Sequence, residues 1–264
     1  MRLLIDIGNH RFKWMFAPDT WAGEELANQD SSHLAVGEKN WPVSLQALCE
    51  AAVLPRSVYV SSVADADVDS VVAGFVQDTW GLETFFLESP GSICGIRNDY
   101  LEPAALGVDR WAALVGACAR AENSPVLVID AGTAVTIDYV GTDRIFRGGV
   151  IVPGLHAMSN TLNVSTARIQ AQLGEGAVGE LNLQNPDTQG AVENGVRLAL
   201  TSALTSAIRY FTDSAGEGLR VFVTGGDATW AQTRIDQEMI FAPSLVLEGV
   251  QRMAAELESG DEIQ

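Results

Sequence analysis

Two short motifs of one shape, Asp6-Ile7-Gly8-Asn9 and Asp130-Ala131-Gly132-Thr133, each lie between β-rich runs. In the second copy four apolar residues, Val126 to Ile129, run into Asp130, and a β-branched run resumes after Thr133 and reaches Asp138. In the first, Leu3-Leu4-Ile5 leads into Asp6, and the run resumes through Arg11 to Phe16. Each reads as a buried strand, a tight polar turn and the partner strand of a hairpin. An aspartate is costly inside a core, so it belongs at the strand's open end, where it can orient a cation. Gly132 lets the backbone approach an anion, and Thr133 can donate from hydroxyl and amide. A turn that opens a second strand is not the dinucleotide fingerprint, whose glycine-rich turn opens a helix. The chain also has no G-x-x-x-x-G-K-[ST] phosphate loop. The repetition therefore points to two halves built on one plan.

Composition narrows the partners. Basic residues number 16 against 34 acidic ones, a formal net charge of −18. Such a field disfavours nucleic acid and anionic membranes. An anionic small substrate would need backbone amides, local Lys or Arg, or Mg²⁺ to counter it. The brief apolar run after Arg2 ends at Asp6, so no export signal is read there, and no uninterrupted stretch reaches membrane-spanning length. Cys49, Cys94 and Cys118 have neither metal-site spacing nor the even count of a secreted disulfide framework. Cys118 reads as a small core residue. A cytoplasmic protein is expected.

Along the chain, periodicity predicts a short helix over 43–52, a strand over 57–63, a helix over 68–80 with Val68, Val71, Val72, Phe75 and Val76 inward, and a strand over 82–87. Residues 19–40 read as loop or irregular edge strand. Residues 96–107 lack a period but contain Arg97, Asn98, Asp99, Tyr100 and Pro103, and read as a substrate loop. A helix then opens near Asp109, with Trp111, Leu114, Val115 and Cys118 on one face. In the second half a third strand spans 144–152. Met158, Leu162 and Ile169 mark a helix face, and residues 170–186 read as loop-rich. Asp187-Thr188 cap a long helix whose buried face takes in Val192, Val196, Ala199, Ala203, Ala207 and Ile208. A strand over 221–224 ends in Gly225-Gly226-Asp227-Ala228, with residues 57–62 as its counterpart in the first half. A short strand at Ile240-Phe241 and a helix over 245–257 follow, and the tail from Glu258 is expected to fray. The expected domains are 1–121, with the substrate loop at 96–110, and 122–264.

These residues bring a family into view. Asp6-Ile7-Gly8-Asn9 with Lys13, Tyr100-Leu101-Glu102-Pro103, Gly107-Val108-Asp109-Arg110-Trp111, Asp130-Ala131-Gly132-Thr133-Ala134, the Gly148 to Gly154 run, Thr166-Ala167 and Thr224 to Ala228 together resemble type III pantothenate kinase. That family falls within the acetate kinase, sugar kinase, Hsp70 and actin group. The resemblance implies an α/β fold of two similar ribonuclease H-like domains of the actin-like ATPase type, facing across a cleft. It also implies transfer of the ATP γ-phosphoryl group to pantothenate, a homodimer, Mg²⁺, and a monovalent cation, K⁺ or NH₄⁺. His10 stands where the family usually has threonine, and Ile169-Gln170 replaces its leucine and proline after Thr166-Ala167.

By the same resemblance Asp109 is the catalytic base and Arg110 a ligand of substrate carboxylate or phosphate; read bare, Asp109 would serve equally as a helix cap. Asp6 is the Mg²⁺–phosphate organiser, directly or through water. Gly8, Asn9, Lys13, Gly132 and Thr133 are the ATP contacts, and Asp130 is the monovalent-cation ligand. Tyr100, Gly107 and Thr188 join Asp109 and Arg110 around pantothenate. Gly149, Gly154, Gly225 and Gly226 are expected to permit close backbone packing. His33 and His156 are too isolated for a metal site. Two other readings stay open: another small-molecule kinase of the same fold, and a non-catalytic nucleotide-binding regulator.

Overall fold

The computed structural model describes residues 1–8, 11–19, 32–35, 45, 48, 54–165, 181–216 and 218–260. Asn9, His10, Thr166 to Gln170 and Cys49 lie outside the described residues, as does most of the helix expected over 43–52, where Leu45 and Leu48 are helical and buried. In chain order the described elements are β1 (Arg2–Ile7), β2 (Arg11–Ala17), β3 (Ser32–Ala35), β4 (Ser57–Ser62), α1 (Ala66–Trp80), β5 (Thr84–Phe86), β6 (Ser92–Ile93), β7 (Ile96–Asn98) and α2 (Val108–Ala121). Then come β8 (Val126–Ala131), β9 (Ala134–Val140), β10 (Ile145–Pro153), α3 (Leu155–Ser165), α4 (Thr188–Ala215), β11 (Arg220–Thr224), α5 (Ala228–Arg234), β12 (Ile240–Phe241) and α6 (Leu245–Ser259).

Two compact units result. Unit 1 comprises Met1–Ser124, Val140–Gly148 and Ala242–Gln264; unit 2 comprises Pro125–Tyr139 and Gly149–Phe241. A boundary at 121/122 places the last helix with the second half, whereas the compact units group α6 with the first.

In unit 1 the strand order is β3-β2-β1-β4-β5, antiparallel from β3 to β1 and parallel from β1 to β5. β1 is buried along its whole length, as a strand covered on both faces must be. Leu3, Ile5 and Ile7 point into a core with Phe12, Trp14, Val58, Val60, Val72 and Val76. The alternate set, Arg2, Leu4 and Asp6, points to the other face. There Arg2, 3% exposed, meets Glu258 of α6, its Nη2 2.6 Å from Oε2. The tail from Glu258 is therefore not frayed at its start: Tyr59 Oη and Arg56 Nη2 also donate to that carboxylate, at 2.9 and 3.1 Å. The guanidinium of Arg2 holds the Glu258 carboxyl down to about 2, with Tyr59 assisting. α6 crosses α2 at glycine-width separation, since a Cβ on Gly116 would come within 2.6 Å of Leu245 O. Cys118 is buried on α2 as expected, and burial pushes its thiol up to about 11. α1 starts two residues before Val68, and Val71, expected inward, is exposed.

In unit 2 the order β10-β9-β8-β11-β12 reproduces that of unit 1 strand for strand, with β8, β11 and β12 parallel. The long helix α4 starts where expected, with Asp187 accepting from the Gly190 amide at 2.7 Å. Its buried stripe runs Val192, Val196, Leu200, Leu204 and Ile208. Leu200 and Leu204 replace the expected Ala199, which is exposed, because a core of Leu127, Ile129 and Ile137 needs larger side chains to fill it. The helix α5 was not expected, since seven residues with two buried alanines carry little periodic signal.

Candidate active site

In unit 1 the first turn closes through the Gly8 amide donating to Arg11 O at 2.9 Å. Asp6 lies opposite Lys13 across the hairpin and opposite Ser61 on β4. Opposed residues share a face, so an acid, a base and a hydroxyl meet there. Asp6 is 8% exposed, and the Ser61 hydroxyl lies 3.4 Å from its Oδ1.

The residue after β4 ties this turn to the start of α2. The Val63 amide donates to Ile7 O at 3.0 Å, and its Cγ1 lies 3.8 Å from where a Gly107 Cβ would stand. The Asp6 strand end and the Asp109 helix start therefore reach the same end of unit 1. Gly107 takes the N-cap position, so Asp109 is not the cap; its Oδ1 accepts the Arg110 amide at 2.7 Å. A carboxylate in the first helical turn sits where the helix dipole favours negative charge. A side chain at 107 would meet Asp109 Oδ1 at 2.7 Å, which explains the glycine.

The stretch expected as a substrate loop is more ordered than its lack of period suggested: β6 and β7 pair antiparallel, β7 pairs with Ile145 and Phe146, and Pro103–Ala105 form a 3₁₀ turn. The order comes from tertiary pairing, which periodicity does not report. It presents Tyr100, whose ring stacks on Phe146 with centroids 5.4 Å apart at 26°. Arg110 donates from Nη1 to Tyr100 Oη at 3.2 Å and lies 6.0 Å from the Phe146 ring. Phe146, wholly buried, is the residue missed from the sequence; nothing in its run marks it as a platform for Tyr100 and Arg110.

In unit 2 three turns converge on Asp130. The Gly132 amide closes its own turn on Ala134 O at 3.2 Å, and the Gly154 amide donates to Thr133 O at 2.9 Å. The Asp227 amide donates to Ala131 O at 2.8 Å. Asp130 is paired in register with Thr224 as Asp6 is with Ser61. Gly225 has φ +91°, and a Cβ there would collide with Ala131 O and Asp130 Oδ1. Close backbone packing is thus the role of Gly154 and Gly225, and Gly149 lies as tightly on Asp138. Thr133 is exposed at the tip. Thr188, freed from capping by Asp187, lines a cavity of about 770 Å³ with Met158, Leu162, Pro186 and Val192.

Among the described residues no group of three or more His, Cys, Asp or Glu could enclose a metal. A divalent ion here would rest on one carboxylate and on substrate phosphates, as Mg²⁺ commonly does in kinases. For a monovalent cation, the Asp130 carboxylate near the end of β8 is a hard-oxygen donor of the kind that suits K⁺ or NH₄⁺. No described helix is long and apolar enough to cross a membrane.

Comparison with known proteins bears on the family and the fold. The family model for type III pantothenate kinase matches residues 2–210. The type III pantothenate kinase of Alkalilimnicola ehrlichii is 33% identical over 254 residues, covering 96% of this chain and 98% of that protein. That of Alcanivorax borkumensis is 30% identical over 256 residues, covering 97% and 99%. Among solved structures, the activator of 2-hydroxyisocaproyl-CoA dehydratase from Clostridium difficile, with bound ADPNP, aligns at TM-score 0.52 with 10% identity, covering 100% of this chain and 98% of that one. That likeness is one of fold alone, and the matched family itself falls within the acetate kinase, sugar kinase, Hsp70 and actin group of α/β folds with two similar lobes. Matched over most of its length by the family model and nearly end to end by its relatives, the chain belongs to the type III pantothenate kinase family, ATP-dependent enzymes that phosphorylate pantothenate in the first step of coenzyme A synthesis.

Proposed function

We propose that Asp109 is the general base of this kinase, orienting the primary hydroxyl of pantothenate and accepting its proton as the γ-phosphoryl group of ATP is transferred. The observation that carries the reading is the Val63 link, which brings the Asp6 phosphate turn and the Asp109 helix start to one end of unit 1. Phosphoryl transfer asks little covalent chemistry of the protein beyond positioning and charge stabilisation. Arg110 and Tyr100 hold the pantothenate carboxylate and amide end, Gly107 leaves room beside them, and Thr188 contributes a further hydroxyl. Gly8, Asn9 and Lys13 from the first turn, and Gly132 and Thr133 from the second, contact ATP phosphates.

Asp6 would hold Mg²⁺, directly or through water, and the ion would supply charge neutralisation at the phosphates. Asp130 holds K⁺ or NH₄⁺. The active form is a cytoplasmic homodimer. The test is product formation from ATP and a panel of hydroxyl substrates, read by mass spectrometry with and without Mg²⁺ and K⁺. Turnover of pantothenate, lowered about 10²-fold or more in kcat by Asp109→Asn with the fold intact, supports the assignment. Turnover of another substrate with none on pantothenate rejects it, and an unchanged kcat removes Asp109 from the role.

A further inference from the structure

Unit 2 contains a second, smaller cavity of about 220 Å³, lined by Leu181, Arg197, Thr201, Thr233 and Arg234. None of these residues has a part in the chemistry above. Arg197 and Thr201 stand one turn apart on α4 and so share a face, while Thr233 and Arg234 close α5. Arg197 is 8% exposed, and its ion pair among the described residues is with Glu193, at a loose 3.4 Å. Among the described residues Arg234 has no ion pair, and its buried Nε and Nη2 have no hydrogen-bond partner.

The chain has 34 acidic residues against 16 basic ones, yet among the described residues no carboxylate neutralises Arg234. A half-buried guanidinium without a counter-charge is costly, and the cost is removed by an anion that enters the cavity. The two planar forks suit bidentate oxygen pairs, as in phosphate recognition. Thr201 can add a hydroxyl donor. Thr233 adds only wall, because its hydroxyl already donates to Trp230 O at 2.8 Å. A cation would be repelled, and a purely apolar ligand would leave Arg234 uncompensated.

We propose that this cavity binds the phosphate group of a small molecule, between α4 and α5, at a site separate from the phosphate turns. The full-length protein, saturated with ATP so that its nucleotide contacts are occupied, is titrated at constant ionic strength with inorganic phosphate and, in a parallel arm, with glycerol 2-phosphate. Calorimetry and the rise in Tm give the affinity. Saturable binding is expected in the wild type, weakened at least about tenfold in Arg234→Gln, the loss expected for one charge-assisted contact. Thr201→Val weakens it less, and Arg234→Lys recovers part of it. Pantothenate turnover without added phosphate stays at the wild-type level in Arg234→Gln. Tighter binding of glycerol 2-phosphate identifies a phosphate ester as the ligand class, and equal binding identifies free phosphate. No saturable binding of either probe, or equal affinity in wild type and Arg234→Gln, overturns the proposal.

Discussion

Replacing Phe146 with leucine separates its two roles, core filler and platform for Tyr100 and Arg110. The ring is wholly buried, stacks on Tyr100 at 5.4 Å, lies 6.3 Å from the Trp111 ring and has the Arg110 guanidinium 6.0 Å from its centroid. Loss of an aromatic pair costs about 0.5–1.5 kcal/mol beyond area, and loss of a cation–π contact about 0.5–1 kcal/mol. Together these give about 1–2.5 kcal/mol, or a fall in Tm of about 2–10 °C for a chain of this size. If Tyr100 and Arg110 hold pantothenate, even about 1 kcal/mol of their pre-organisation raises the pantothenate KM about fivefold. The Asp109 carboxylate is held within its own helical turn, so kcat changes little. Steady-state kinetics at saturating ATP, together with a thermal melt, measure both effects. A fall in Tm of that size with a pantothenate KM within about twofold of wild type would refute the reasoning, leaving Phe146 as a core residue and Tyr100 without a substrate role.

Gly225→Ala forces a side chain into a φ of +91° against Asp130 Oδ1 and Ala131 O; strain of about 1–3 kcal/mol is expected to displace the aspartate, and stimulation by K⁺ to fall more than basal turnover, as read by rate against K⁺ at fixed Na⁺ plus K⁺. Equal loss of both would mean that Asp130 only shapes the turn. Glu258→Gln tests the contact that fastens α6 to β1: the folded carboxyl is held down to about 2 from an ordinary 4.5, so its stabilisation is full above pH 4.5 and lost as pH falls toward 2. Because Glu258 is partly exposed, the variant should lose about 1–2 kcal/mol at pH 7 after solvent screening, and melts should converge with wild type in acid. A gap that stays constant with pH would place the stability elsewhere.

Much of this fold was legible because its strands are covered on both faces and their ends carry polar turns. Val126 to Ile129 and Leu3 to Ile5 are apolar without interruption, and Asp130 and Asp6 break those runs at the position where the chain turns. The pairing of residues 57–62 with 221–224 as counterparts was also readable, since both are β-branched runs that end in small polar residues. What escaped depended on contacts remote in sequence. The order in 92–105 comes from pairing with Ile145 and Phe146, some fifty residues on. Glu258 reads as the start of an acidic tail, and only the buried guanidinium of Arg2 turns it into an anchor. The stripe of α4 was misjudged at Ala199 because helical spacing admits several faces when small residues surround it, and the size of the facing core chooses among them.

The two copies of the turn differ where the proposed chemistry requires it. Each sets an aspartate at the end of a central strand, opposite a hydroxyl residue on the parallel neighbour: Ser61 for Asp6 and Thr224 for Asp130. Across the hairpin the copies diverge. β2 places Lys13 directly opposite Asp6, so negative and positive charge stand side by side, an arrangement suited to phosphate oxygens and a hydrated Mg²⁺ together. β9, Ala134–Val140, carries no Lys or Arg, and Asp130 Oδ1 and Ala131 O pack closely against Gly225. A turn whose strand partner brings no cationic side chain favours a weakly hydrated monovalent cation at its aspartate, beside the ATP phosphates proposed to meet Gly132 and Thr133. On this reasoning Lys13→Ala should weaken ATP binding while leaving K⁺ stimulation intact, whereas a lysine introduced by Thr136→Lys on β9 should abolish the K⁺ response first. If Lys13→Ala instead removed the K⁺ response, the assignment of Lys13 to phosphate and of the monovalent cation to Asp130 would be wrong.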